Sequence, residues 1–197
     1  AALKALRKDP AGTVDALTGA RENGLEFLKS VQRHAPGELS TVGRAYLDDL
    51  MSMMSDPLRR DMAASKWGNL GIEKKRIIFG DVLKRDPKYL QDLDSFFLLM
   101  RKLKANPNAS GSGYMTLNGA RFLGGIPVVV MSELGGVALS KALMSPRVVR
   151  AFTRGFRVPT GAGVAAKAAA ASELVEALKA AGIRIPASLS AKDQEEK

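Results

Sequence analysis

The stretch DPKYLQDLDSFFLLMRKLKAN, residues 86–106, carries the clearest helix signal in the chain. An aspartate followed by proline is typical of a helix start, because the carboxylate can cap free N–H groups and proline fits the first turn. Apolar residues then recur at helical spacing on one face: Leu90, Leu93, Phe97 and Met100. Lysine and arginine collect at the far end, where they complement the helix dipole. The stretch therefore predicts an amphipathic helix.

Similar signals recur along the chain, almost without the alternating patterns of strands. Cap-plus-proline starts stand at Asp56-Pro57 and Ser145-Pro146, and Gly182 follows an alanine-rich segment as a helix terminator would. Alanine, leucine and methionine are abundant, and aromatic residues make up only 6%. That balance favours helices. The sequence predicts an all-α protein, an irregular bundle of about seven to nine helices in one or two sub-bundles.

Small and turn-forming residues in NPNASGSG, residues 106–113, predict a loop or hinge between two helical regions. We expect an N-terminal helical bundle over 1–105 and a Gly/Ala-rich helical region with a basic helix over 114–185. A charged tail over 186–197 is expected to be loosely held. The opening AALKALRKDPAG has neither an initiator methionine nor the apolar core of a signal peptide, so we expect a portion of a longer polypeptide.

Composition argues against several kinds of catalytic or metal site. The chain has no cysteine, which excludes disulfides and thiolate metal sites. His34, the only histidine, stands at a predicted helix end, where a capping or solvent-facing role is expected. We predict no metal, cofactor or small-molecule substrate, and a non-enzymatic role for this portion.

Two closely spaced pairs of carboxylates are candidates for acid–base chemistry. Asp48 and Asp49 are adjacent and point about 100° apart on a helix. Asp92 and Asp94, two residues apart, diverge as well. Neither spacing prepares a pair for acid–base work, so all four are expected to be exposed charges on helix faces.

Positive charge concentrates in residues 121–167, where seven basic side chains and one acidic side chain give a net charge of +6. The formal net charge is +10, and SPRVVRAFTRGFRVPTGAG, residues 145–163, contains no acidic residue. Four arginines spaced three, four and three apart share one side of a helix: Arg147, Arg150, Arg154 and Arg157. We predict that these are the polyanion- or partner-binding residues. The spacing leaves three readings open: contact with the phosphates of DNA or lipid, contact with a protein partner, or solvation alone.

The segment IPVVVMSELGGVALSKALM, residues 126–144, has nearly the length needed to span a bilayer. It contains Glu133 and Lys141, and a charge at the bilayer centre costs about 3 kcal/mol. A helix buried among other helices is therefore expected. Transient membrane contact during a transport event is the alternative.

The order of features over residues 65–113 resembles a known kind of viral protein. A helix centred on Trp67 precedes a Leu-Gly-Ile-Glu-Lys-Lys segment that closes on Phe79 and Gly80. The amphipathic helix and the NPNASGSG loop follow, and then a glycine-rich apolar stretch and the Ser-Pro-Arg helix start. This arrangement resembles helical regions near the C-terminal ends of internal virion or DNA-ejection proteins of tailed bacteriophages, over about residues 40–160. Trp67 itself is expected to be a core anchor.

The resemblance implies a location in the virion, inside the capsid or near the portal, with delivery to the host envelope during infection. It transfers no catalytic residue. We expect a structural segment that acts in genome ejection and associates with itself or with other virion proteins, with the DNA phosphate backbone as a further candidate partner. The alternatives are a nonspecific nucleic-acid-binding helical protein and an accessory helical domain of a larger enzyme.

Overall fold

The computed structural model describes residues 23–55, 59–104, 126–159 and 161–185, together with residues 12, 14 and 18. Nine named α-helices and no β-strand lie within these ranges, which confirms the predicted all-α class. The helices are α1 (Asn23–His34), α2 (Glu38–Ser55), α3 (Arg60–Asn69), α4 (Ile72–Ile78), α5 (Gly80–Arg85), α6 (Tyr89–Lys104), α7 (Ile126–Leu143), α8 (Pro146–Arg157) and α9 (Val164–Ala180). The predicted Asp56-Pro57 start, the loop at 106–113 and the tail at 186–197 lie outside the described residues.

The two described proline signals give helix starts that differ in detail. α8 begins at Pro146 as predicted, although the Ser145 side chain makes no capping hydrogen bond. α6 begins at Tyr89, because Asp86 first forms a turn in which its Oδ1 accepts a hydrogen bond from the Lys88 N–H at 3.1 Å. Asp86 therefore closes a turn just ahead of α6, and its other carboxylate oxygen is left for a different partner.

Gly182 ends α9, and its backbone explains why a glycine stands there. Its φ of +67° is the left-handed conformation that glycine adopts without a steric penalty. The Ile183 N–H donates to the Leu178 carbonyl at 3.0 Å, and the Gly182 N–H donates to the Lys179 carbonyl at 2.9 Å. This is the Schellman arrangement, and Leu178 and Ile183 at its two ends are both buried.

Aromatic side chains fill the centre of the bundle. Trp67 on α3 is 3% exposed and stacks on Phe97 of α6, with ring centroids 4.9 Å apart, so its predicted role as a core anchor is confirmed. Gly43 on α2 allows Phe79 to approach, since a Cβ at position 43 would lie 3.1 Å from its ring. Burying each large apolar side chain contributes roughly 1.5–3 kcal/mol. The largest fully buried side chains include Tyr46, Tyr89, Phe79, Phe96, Phe97 and Phe152.

Helices from both sides of the 106–113 segment contribute to one hydrophobic core. α7 packs along α2, and α8 packs against α6 and α9. The Tyr89 hydroxyl on α6 donates to the Leu143 carbonyl at the end of α7 at 2.7 Å, which satisfies an otherwise free helix-end acceptor. Burial raises the pKa of Tyr89 above its usual range, so the phenol stays protonated as a donor. The described part of α7 buries Val130 and Leu139.

Candidate functional site

The basic helix α8 is held in place by its apolar side. Val148, Val149 and Phe152 are fully buried, and Phe152 and Phe156 both pack on Phe96 of α6 with ring centroids 5.9 and 6.2 Å away. The predicted amphipathic arrangement of this helix is thus observed. Because the buried residues fix the rotation of α8, they also fix the direction in which each arginine leaves the helix.

Arg150 is turned into a cluster with two carboxylates at the start of α6. Its Nη2 donates to Asp86 Oδ2 at 2.5 Å, and its Nε lies 3.8 Å from Asp92 Oδ2. The Asp86 side chain is 14% exposed and that of Arg150 is 42% exposed, so water is largely excluded from the carboxylate but reaches the guanidinium. Arg150 therefore joins α8 to the start of α6.

Asp92 has the least favourable surroundings in this cluster. Its Oδ2 atom is buried and accepts no hydrogen bond from the described residues. Burial raises the pKa of the Asp92 carboxyl; the positive charge of Arg150 opposes this shift and the negative charge of Asp86 adds to it. Lys88 and Arg154 are further positive charges close enough to oppose it.

Arg154 pairs with a different helix. Its Nη1 donates to Glu173 Oε1 of α9 at 2.6 Å, and the two side chains are 65% and 41% exposed. A pair this open to water contributes little to stability, because solvent screens it and two long side chains must be ordered. It nevertheless draws the Arg154 guanidinium towards α9.

Arg147 and Arg157 remain exposed at the two ends of α8. Neither forms an ion pair or a side-chain hydrogen bond with a residue that the structure describes. The structure thus separates the four predicted arginines into two with intramolecular partners and two that face solvent. Their role as binding residues stays a prediction.

The expectation that the four aspartates are exposed is confirmed for Asp94, which is 54% exposed, and is wrong for Asp48, Asp49 and Asp92, which are partly buried. Asp92 is half-buried beside Arg150, and Asp49 is 27% exposed and pairs with Lys66 at 2.7 Å. Asp94 Oδ1 accepts hydrogen bonds from Trp67 Nε1 at 2.7 Å and from Lys75 Nζ at 3.0 Å. Sequence spacing within one helix missed these contacts, because every partner comes from another helix.

Lys75, Trp67 and Asp94 form a second charged cluster, at the surface of the aromatic core. The Lys75 side chain is 8% exposed, and its Nζ lies 4.1 Å from the centroid of the Trp67 ring. The ring face and the Asp94 carboxylate together compensate the buried ammonium charge. Because Asp94 engages both groups from one oxygen, the cluster anchors α3 and α4 on α6.

Other predicted features occupy ordinary positions. His34 is the last residue of α1 and is exposed, with Nδ1 2.9 Å from the Ser30 carbonyl oxygen. Across the described ranges, no group of three or more His, Cys, Asp or Glu side chains is placed to hold a metal ion. None of the helices in the same ranges combines the length and apolar character needed to cross a bilayer. The Glu133 side chain lies outside the described residues.

Comparison with known proteins adds no further constraint. The sequence matches no protein-family model, and neither a curated protein nor a solved structure shows significant similarity to it.

Proposed function

We propose that this chain is a non-enzymatic structural segment of a phage virion protein, which assembles with itself or with other virion proteins during genome ejection. The order of helix and loop signals over about residues 40–160 supports the virion part of the proposal. The observation that carries the mode of action is the fixed basic face of α8, with Arg147 and Arg157 at its exposed ends.

The geometry of α8 suits docking onto an extended acidic surface. Arg147 and Arg157 are ten residues apart, which corresponds to about 15 Å of helix. Between them, Arg150 is tied to Asp86, and the apolar side of α8 is buried. A partner that binds both ends therefore meets a helix that is already in position, so little backbone entropy is lost on docking.

Sedimentation equilibrium of the purified chain tests self-assembly. We expect the average mass to rise with concentration above that of one chain. The double variant R147E/R157E replaces two exposed side chains, so the fold should persist while the association constant falls about tenfold or more. A chain that stays monomeric at every concentration, and binds neither DNA nor anionic vesicles, would contradict the proposal.

The virion part of the proposal has a separate test. We expect the reading frame that encodes this sequence to lie beside portal and tail genes. A neighbourhood of chromosomal metabolic genes would overturn the virion assignment. The docking role of α8 would then depend only on the sedimentation-equilibrium experiment.

The exposed guanidiniums of α8 and the net charge of +10 favour a second candidate, sequence-independent binding to nucleic acid. Each phosphate contact makes the slope of log affinity against log salt more negative by about 0.9. If Arg147 and Arg157 each contact a phosphate, R147E/R157E loses two such contacts. The slope of log affinity against log salt should then be less negative by about 1.8. A slope that is the same for both proteins would exclude α8 as the DNA-binding surface.

A further inference from the structure

A groove of about 480 Å³ opens where α2, α7 and the segment after α9 meet. Leu134, Val137 and Ile183 are among its lining residues, and of these Ile183 is itself buried. Val137 is 63% exposed, whereas Leu139 and Leu143 of the same helix are buried. The groove thus presents apolar surface that the described part of the chain leaves open to water.

Three cationic side chains surround this apolar surface: Arg44 of α2, Lys141 of α7 and Arg184. Lys141 Nζ donates to the Gly182 carbonyl at 3.4 Å, which places it at the C-terminal end of α9. Arg44 and Arg184 form no ion pair with a described side chain. Among the described side chains, the Asp48 carboxylate lies beside the groove, 3.8 Å from where a Cβ at Gly136 would stand. Positive charge therefore predominates among the described side chains around the groove.

We propose that this groove binds an acidic, amphipathic peptide segment of a partner protein. The apolar side chains of the peptide enter the groove beside Val137. The carboxylates of the peptide pair with Arg44 and Arg184, whose planar guanidiniums can each bind a carboxylate through two hydrogen bonds. No lining residue belongs to α8, so the inference goes beyond the proposed function and does not depend on it.

Fluorescence anisotropy with a labelled synthetic peptide tests the proposal. The probe is a short peptide in which pairs of glutamates alternate with single leucines or phenylalanines. We expect saturable binding to the full chain. Glutamine in place of the glutamates, or alanine in place of the apolar residues, should each weaken binding about tenfold or more, because charge and apolar contact are both required.

Two double variants with the same change in net charge locate the site. R44E/R184E alters the groove, and R33E/R76E alters two exposed arginines of α1 and α4 that do not line it. We expect R44E/R184E to weaken peptide binding at least about tenfold, and R33E/R76E to change it by less than about twofold. Circular dichroism confirms that both variants are folded, and the milder R44Q/R184Q replaces R44E/R184E if that variant unfolds.

Three results would overturn the proposal. They are no binding of the acidic peptide at millimolar concentration, equal weakening by the two double variants, and binding that survives removal of the apolar residues. Vesicles of phosphatidylglycerol provide the membrane comparison. If vesicles bind in an R44E/R184E-sensitive manner and the peptide does not, the groove faces lipid and the peptide assignment is wrong.

Discussion

Asp92 and Asp94 are two residues apart on α6, yet their surroundings are opposite. Asp94 receives two hydrogen bonds, from the Trp67 indole and the Lys75 ammonium. Asp92 keeps a buried Oδ2 that accepts none from the described residues, and the Asp86 carboxylate lies near it. The spacing of the two aspartates could not predict this difference, because it comes from residues on α3, α4 and α8. The carboxylate with unfavourable surroundings is the one beside the basic helix.

The substitution Asp92→Asn should stabilise the protein at neutral pH and have little effect in acid. Burial raises the pKa of Asp92, so the folded state disfavours the ionised carboxylate relative to the unfolded state. The stabilising effect of the neutral acid is complete below the usual aspartate pKa of 3.8 and is lost as pH rises through the higher folded-state pKa. Asparagine keeps a neutral side chain at every pH.

Thermal unfolding of both proteins, at about pH 7 and about pH 3, measures this difference. We expect a higher Tm for the variant at pH 7 and nearly equal values at pH 3. A variant that is less stable at pH 7 would mean that the attraction of Arg150 for ionised Asp92 outweighs the cost of burial.

The ends of several helices could be predicted because their signals are local. Pro146 starts α8 and Gly182 ends α9, and each acts through backbone groups within one turn. The short helix α5 was missed, since Gly80 suggested an interruption and six residues carry no clear period. The apolar face of α8 was also predictable from spacing alone. What α8 packs against was not, because no local pattern encodes it.

The substitution Gly182→Ala tests the helix end directly. A Cβ at this position meets no atom within 4 Å, so its effect comes only from the left-handed backbone at φ +67°. We expect a loss of about 1 kcal/mol in unfolding free energy, measured by urea denaturation. Gly68→Ala is a control of opposite sign, because Gly68 lies inside α3 and also meets no atom there. The unfolding free energy of the Gly68→Ala variant should rise by roughly 0.5–1 kcal/mol. Equal changes in unfolding free energy for the two variants would contradict the left-handed backbone conformation of Gly182.

Tertiary packing divides the four arginines of α8 into two that form intramolecular ion pairs and two that do so with no described residue. Their spacing in the sequence could not predict this division. Arg150 and Asp86 are 64 residues apart in sequence, and Arg154 and Glu173 are 19 apart. Only the packing of α8 between α6 and α9 brings these pairs together. A helical spacing of three and four residues predicted one basic face, and the neighbouring helices then supplied acidic partners to its middle. Arg147 and Arg157, at the ends of that face, stay exposed to solvent.

Thermal unfolding of four single arginine-to-glutamine variants tests this division most directly. R150Q should cost about 1–2 kcal/mol and lower Tm by several degrees, because it leaves the shielded Asp86 carboxylate without its partner. R154Q should cost about 0.5 kcal/mol or less. R147Q and R157Q should leave Tm unchanged within about 1–2 °C. Equal losses across the four variants, or no loss for R150Q, would contradict the account.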